Sequence, residues 1–260
     1  MKIAFLGDVV GKSGRRALER AIPHIRSDHS VDVVIANAEN SAGGFGIEKK
    51  GIDEMVKAGV DFFTTGNHIW DKRQGIPLLD ERDNILRPAN YPGDAPGRGS
   101  ALVPGTDGMV GVINVQGRVF MPPLDCPFRC VDRLLEEMPV SARVVIVDVH
   151  AEATSEKIAM GWHLDGKVSV VLGTHTHVPT ADERILPGGT AYVTDVGMTG
   201  PYDGILGVQK EAVIQRFYDM RPKRFEVAKH DLRCDYVVAE IDEQTGKALA
   251  FEHLQMKVEE

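Results

Sequence analysis

Short apolar runs that stop abruptly in polar residues recur along this chain. "KIAFLG", "VDVVIA", "DFFTTG", "MVGVINV", "RVVIVDV", "VSVVLG" and "TAYVTDV" each have strand length, and stretches with helical spacing lie among them: Ser13–Ser27, Glu48–Ala58, Cys130–Met138 and Val208 to about Met220. Buried strands alternating with amphipathic helices predict α/β architecture. Two later runs, "CDYVVAEID" and "ALAFEHLQMKV", flank the turn sequence "EQTGK" and predict an antiparallel pair that completes a second sheet or forms an edge. The Pro- and Gly-rich stretch Arg87–Gly99 reads as a surface connector, with a lid as the alternative. There are no repeats, and a chain of 260 residues is expected to form one domain spanning 1–260.

The net charge of −8 argues against broad, non-specific binding to nucleic acid or membrane surfaces, while leaving room for a local basic patch. Three cysteines (Cys126, Cys130, Cys234) are too few for a disulfide framework and are expected to be reduced structural thiols. "MKIAFLGD" is too short for a signal-peptide core, and no apolar run reaches membrane-span length, so a cytoplasmic protein without membrane partners is expected.

The residues just beyond each strand point to chemistry. "KIAFLG" leads into Asp8, "VDVVIA" into Asn37, Glu39 and Asn40, "DFFTTG" into Asn67 and His68, "RVVIVDV" into His150, and "VSVVLGT" into His175 and His177. In open α/β sheets the site lies beyond the carboxyl ends of the strands, so parallel strands would gather these groups on one rim. Singly, each has an ordinary explanation: Asp8 as a helix N-cap, Asn37 and Asn40 as turn residues, a histidine as a satisfied core residue. Five strand tips together point to a shared site. His24, His29, His163, His230 and His253 lack this placement and read as surface or structural. Nitrogen and oxygen donors without thiolate suit Mn, Fe, Zn or Co. About seven ligands exceed what one catalytic ion needs and suit a pair of ions about 3.5–4 Å apart that bind and polarise a phosphoryl group. "GDVVGKS", Gly7–Ser13, is like a P-loop but one residue short between its glycines, so a phosphate cradle there is the weaker reading.

Asp8, the carboxylate after strand two, "GNH", a later histidine and the G-x-H-x-H element resemble the calcineurin-like metallophosphoesterases. The longer motifs "FLGDVVGKSGR", "NAENSAGGFG", "TGNHIWD", "DVHAEATSEK", "GTHTHVPTADE" and "DVGMTGPYDGILG" resemble the YmdB-like family, bacterial phosphodiesterases acting on 2′,3′-cyclic nucleotides. The resemblance implies a four-layer αββα sandwich and a dinuclear site, with Fe or Mn favoured and Zn or Co compatible. It implies that Asp8, Glu39, Asn40 and His177 bind one ion, that Glu39, Asn67, His150 and His175 bind the other, that Glu39 bridges, and that a hydroxide shared by the ions attacks phosphorus while His68 is the proton donor. Three departures from the wider superfamily stand out. Val10 replaces the histidine of D-x-H, which makes Asn40 the candidate substitute. "NAEN" replaces G-D-x-x-[DN]. Ile69 replaces the acidic residue after "GNH", leaving Asp71 as a candidate to orient His68. Glu152, Thr199 and Gly200 are candidate substrate contacts or merely cap and turn residues, and Asn37 is read as stabilising a turn. The expected substrate is a small cyclic nucleotide or other phosphodiester, with no stable nucleic-acid partner and with self-association open. The alternatives are a phosphomonoesterase or nuclease on the same metals, a regulator binding nucleotide through Gly7–Ser13, and a sensor without turnover.

Overall fold

In the computed structural model, which describes residues 1–106 and 108–259, the apolar runs build two sheets. The seven-stranded sheet holds β1 (Lys2–Leu6), β2 (Asp8–Val9), β3 (Val33–Asn37) and β4 (Phe62–Thr64), with β11 (Met198–Pro201), β12 (Leu232–Ile241) and β13 (Ala248–Lys257) from the far end of the chain. The six-stranded sheet holds β5 (Ser100–Pro104), β6 (Met109–Gln116), β7 (Val144–His150), β8 (Val170–Thr174), β9 (Arg184–Ile185) and β10 (Ala191–Val193). The helices are α1 (Gly11–His29), α2 (Lys49–Ala58), the single turn α3 (Leu78–Glu81), α4 (Pro127–Glu137), α5 (Thr154–Leu164) and α6 (Lys210–Asp219).

The alternation of side chains along each strand sorts residues between layers. In β1, Ile3 and Phe5 face the core between the sheets, while Ala4 and Leu6 pack with α1 and α2. In β7, Val144 and Ile146 take the inner face, while Val145, Val147 and Val149 pack with α4 and α5. The result is four layers, helices–sheet–sheet–helices, as the resemblance implies. Each large aliphatic side chain buried this way contributes roughly 1.5–3 kcal/mol.

Helix α1 buries Leu18, Ala21, Ile22 and Ile25, one stripe at helical spacing, and ends where Ser30 turns left-handed at φ 55°. It starts two residues before the expected Ser13. Asp8 does not cap it: Asp8 lies in β2, and Val10 occupies the N-cap position without a side-chain bond. The C-terminal hairpin forms as expected. Its first strand is interior: β12 pairs antiparallel with β1 and β11 on one side and with β13 on the other, so only β13 is an edge.

Strand β5 and helix α5 are not expected from the sequence. The stretch Arg87–Gly99 is an anchored connector. The Arg87 guanidinium, 5% exposed, donates to the carbonyls of Pro88, Ala89, Ala95 and Pro96, so the loop wraps its own arginine. Among the described residues, no helix is long and apolar enough to cross a membrane.

Candidate metal centre

The inner faces of the two sheets change character at the carboxyl ends of the strands. In β7 the inner parity runs Val144, Ile146, Asp148, His150; in β3 it runs Val33, Ile35, Asn37. Thr64 of β4 and Thr174 of β8 fall on the same inner face and are fully buried. The aliphatic core between the sheets is therefore capped by polar groups. The tips do not share one sheet, as an open-sheet reading would have it. Asp8, Glu39, Asn40, Asn67 and His68 belong to the seven-stranded sheet and its loops, His150, His175 and His177 to the other, and they meet at the seam.

The donor atoms fall into two groups. Around His150, Nε2 lies 3.0 Å from Glu39 Oε1, 3.0 Å from Asn67 Oδ1 and 3.1 Å from His175 Nδ1. Glu39, His150 and His175 each offer an atom within 4.8 Å of the others, a spacing that can hold a cation. Around Asn40, Nδ2 lies 3.0 Å from His177 Nε2, 3.4 Å from Asp8 Oδ1 and 3.5 Å from Glu39 Oε1. A half-turn of the Asn40 amide would put its oxygen in the same place. Glu39 belongs to both groups.

The hydrogen bonds behind the imidazoles set which nitrogen keeps a lone pair. His150 Nδ1 donates to Thr174 Oγ1 at 2.9 Å, and Thr174 donates to Asp148 Oδ1 at 2.8 Å. His177 Nδ1 donates to the Leu206 carbonyl at 3.1 Å. His175 Nε2 sits 3.1 Å from Glu152 Oε2, leaving Nδ1 for the centre. His175 and His177 have φ of 99° and 63°, uncommon for non-glycine residues. Between them, the Thr176 amide and hydroxyl both donate to Asp195 Oδ2, which also pairs with buried Lys157 at 2.6 Å. This network braces the strap that carries both imidazoles.

Asp8 and Glu39 are fully buried, and among the described residues no Lys or Arg pairs with either. Burial pushes the Asp8 carboxyl up against the pull of His177 and His150. Burial also opposes charge on Glu39, but His150 and His68 outweigh it and hold Glu39 at about 2. His150 is the mirror case: burial lowers it, while Glu39, Asp8 and Asp148 raise it to about 9. Burial and His150 lower His175 to about 3. Buried carboxylates converging on imidazole and amide donors, with no Lys or Arg among the described residues to neutralise them, are chemically suited to a bound metal ion, which would take the place of the proton that His150 otherwise holds.

His68 stands apart from this cluster. Its amide donates to Glu39 Oε2 at 2.9 Å, its ring packs against Phe45 in a tilted arrangement with centroids 5.0 Å apart, and Nδ1 lies 2.8 Å from Asp71 Oδ2. A cavity of about 330 Å³ opens over the centre; the polar groups Glu39, Asn40, His68, Glu152, His175 and His177 line it together with apolar Val10, Phe45, Leu206 and Phe225. A larger cavity of about 700 Å³, between Arg20 and His24 of α1 and Met256 of β13, holds none of these groups.

Two sequence elements acquire structural explanations. Gly66 of "GNH" is bare because a Cβ there would lie 2.1 Å from the His150 ring. Gly7 of "GDVVGKS" packs against the Gly197 carbonyl, where a Cβ would come within 2.2 Å of the oxygen, so it serves strand packing rather than a phosphate cradle. Asn37 does more than stabilise a turn. Its oxygen accepts the Glu39 amide at 3.1 Å, and its Nδ2 reaches Asp148 at 3.3 Å. Glu152 contacts His175 rather than capping α5, whose N-cap is Ala153. Thr199 is buried against Cys234, outside the cavity. Sequence reasoning misses Asp148, Thr174 and Asp195; the signal for Asp148 is an acid inside an unbroken strand, on the same parity as His150.

Two sheets packed face to face between helices, with phosphoesterase-type donors at the strand tips, define the calcineurin-like metallophosphoesterase fold. The chain belongs to the YmdB-like family, whose model matches residues 4–254. It is 47% identical over 254 residues to the 2′,3′-cyclic-nucleotide 2′-phosphodiesterase of Bacillus subtilis (strain 168), covering 98% of this chain and 96% of that one. Two crystal structures superpose closely. A hypothetical protein from Thermus thermophilus gives a TM-score of 0.93 at 43% identity, with 99% of both chains covered. A phosphatase from Mycoplasma pneumoniae gives 0.94 at 34%, covering 99% of this chain and 93% of that one.

Proposed function

We propose that this chain is a metal-dependent phosphodiesterase that hydrolyses 2′,3′-cyclic nucleotides. The observation that carries the chemistry is the pair of donor groups sharing Glu39 beneath a cavity that His68 lines. The substrate class rests on the 47% identity to the Bacillus enzyme. Asp8, Glu39, Asn40 and His177 would hold one ion, and Glu39, Asn67, His150 and His175 a second. Fe or Mn suits this oxygen-rich, thiolate-free set, and Zn or Co is compatible with it. When bound, such ions polarise phosphoryl oxygens and lower the pKa of water.

The chain's own residues do the remaining work. Asn40 supplies the donor that Val10 cannot. Asn67, whose oxygen lies 3.0 Å from His150 Nε2 and whose neighbour His68 lines the cavity, would help to hold a phosphate oxygen. Asp71 fixes the His68 ring through Nδ1, which leaves Nε2 to deliver a proton to the departing ribose oxygen. Water adds its oxygen to phosphorus, one phosphorus–ribose oxygen bond breaks, and that oxygen leaves protonated. Phe45, Leu206 and Phe225 offer apolar surface to the base and keep bulk water from the seam.

Elemental analysis of the purified protein, paired with a panel of 2′,3′-cyclic nucleotides, monoesters and linear RNA, tests this reading. Bound metal and preference for the cyclic diester are expected; preference for monoesters or internal RNA linkages would replace the substrate assignment. His68→Ala should cut turnover by about 10²–10⁴ with metal content unchanged. Equal loss of metal would make His68 a ligand.

A further inference from the structure

Beside the proposed active site lies a second cavity of about 500 Å³, with Lys12, Arg16, Arg224 and Lys229 on its walls and Glu226 as its only acid among the described residues. All four cations are exposed, and among the described residues none has an ion-pair partner. The concentration is unusual in a chain of net charge −8. Other cations on the same sheet's helices and loops are paired, among them Arg15 with Glu54, Arg26 with Asp61, Arg82 with Asp53 and Lys210 with Asp203.

The two cavities adjoin. Phe225 lines both, and Gly43 lines the basic one while its neighbour Gly44 lines the other. Arg216 packs 5.5 Å from the Phe225 ring centroid and braces the shared wall. A 2′,3′-cyclic phosphate has no further charge of its own to place in such a cavity. The end of a ribonucleotide chain does: the nucleotide upstream of a terminal cyclic phosphate carries another phosphate one sugar away.

We infer that the basic cavity holds the upstream phosphates of an oligoribonucleotide whose terminal 2′,3′-cyclic phosphate enters the active site, so that the preferred substrate is an RNA end rather than a free mononucleotide. The reaction is unchanged. Water opens the ring, one phosphorus–oxygen bond to the terminal ribose breaks, and the RNA leaves with a terminal monophosphate. This inference rests on the diesterase reading for its chemistry, but not for its binding step. Basic side chains that track a backbone, flanked by an aromatic wall, form a single-strand groove in miniature.

Two measurements separate these steps. The first is anisotropy of a fluorescent RNA tetramer ending in a 3′-phosphate. At about 50 mM salt the native protein should bind it with a log–log salt slope near −1.4, the value for about two phosphates on a single strand. Arg16→Gln/Arg224→Gln should weaken binding at least tenfold and flatten the slope. The second is kcat/KM for a cyclic mononucleotide against a tetramer ending in a cyclic phosphate. The native protein should prefer the tetramer by about tenfold or more, and the double variant should lose that preference while keeping mononucleotide turnover within about twofold. Absent RNA binding, RNA binding indifferent to the double substitution, ATP competing as effectively as RNA, or equal kcat/KM for the two substrates would each overturn the inference. If neither substrate is hydrolysed while charge-dependent RNA binding persists, the diesterase reading falls and the RNA site stands.

Discussion

The two sheets contribute different chemistry to the seam. The seven-stranded sheet supplies the oxygen and amide donors, Asp8, Glu39, Asn40 and Asn67; the six-stranded sheet supplies the imidazoles, His150, His175 and His177. The oxygen side carries the charge, in two fully buried carboxylates. The nitrogen side carries imidazole donors whose orientation is fixed from behind, by Thr174 and Asp148 for His150, by Leu206 for His177 and by Glu152 for His175. On the proposed reading, charge would set how strongly a cation is held, and the supports behind the imidazoles would set its geometry. A cation at the seam would also tie one sheet to the other.

The largest test of this division is Glu39→Ala. If the oxygen side supplies the affinity through a shared carboxylate, elemental analysis after gel filtration should show both ions lost or nearly so, and diesterase activity should fall to background. Retention of two ions would break the comparison at its centre.

Gly66→Ala probes the nitrogen side from the opposite sheet. The new methyl would occupy the place of the His150 ring and displace it from Asn67 and Glu39. Metal affinity, read by competition with a fluorescent chelator, should drop by about 10–100-fold, the usual cost of losing a ligand's orientation. Unchanged affinity would show that His150 is not held against this loop.

The smallest effect concerns Asp148, which burial raises to about 7 against the opposing pull of His150 and of the Thr64 and Thr174 hydroxyls. Its folded value lies above the unfolded value of 3.8. The folded state therefore holds a proton that the unfolded chain has released, and stability falls as pH rises between these values, by up to about 1.4 kcal/mol per pH unit. Urea unfolding of metal-free protein should show this decline between pH 4 and 7, and Asp148→Asn should flatten it. An unchanged slope would exclude Asp148 as its source.

The donors are legible in the sequence because each comes after an apolar run that sets its position, as Glu39 comes after "VDVVIA" and His150 ends "RVVIVDVH". Asp148 does not stand out because attention to strand tips passes over a residue two places earlier, although period-two counting puts it on the face of His150. Helix α5 is obscured by its own function. Glu156 and Lys157 are buried on it, the first accepting the Arg118 and Val119 amides and the second pairing with Asp195, so its core-facing positions do not read as apolar. Strand β5 is half-exposed and gives a weak pattern. Sheet membership could not be read locally, since β1 lies between β3 and β12, a partner more than two hundred residues away along the chain.

That long-range pairing has a consequence for the order of events during synthesis. The amide of His175 bonds to Asp8 across a separation of 167 positions, and the middle of the seven-stranded sheet is completed only when β12 is available. β1 must wait with one edge open while most of the polypeptide is made, and contacts of such separation form late. The seam is thus among the last parts of the molecule to exist. An ion held there would therefore enter only after the C-terminal strands have joined the sheet, and metal added to a chain truncated before β12 should find no complete site.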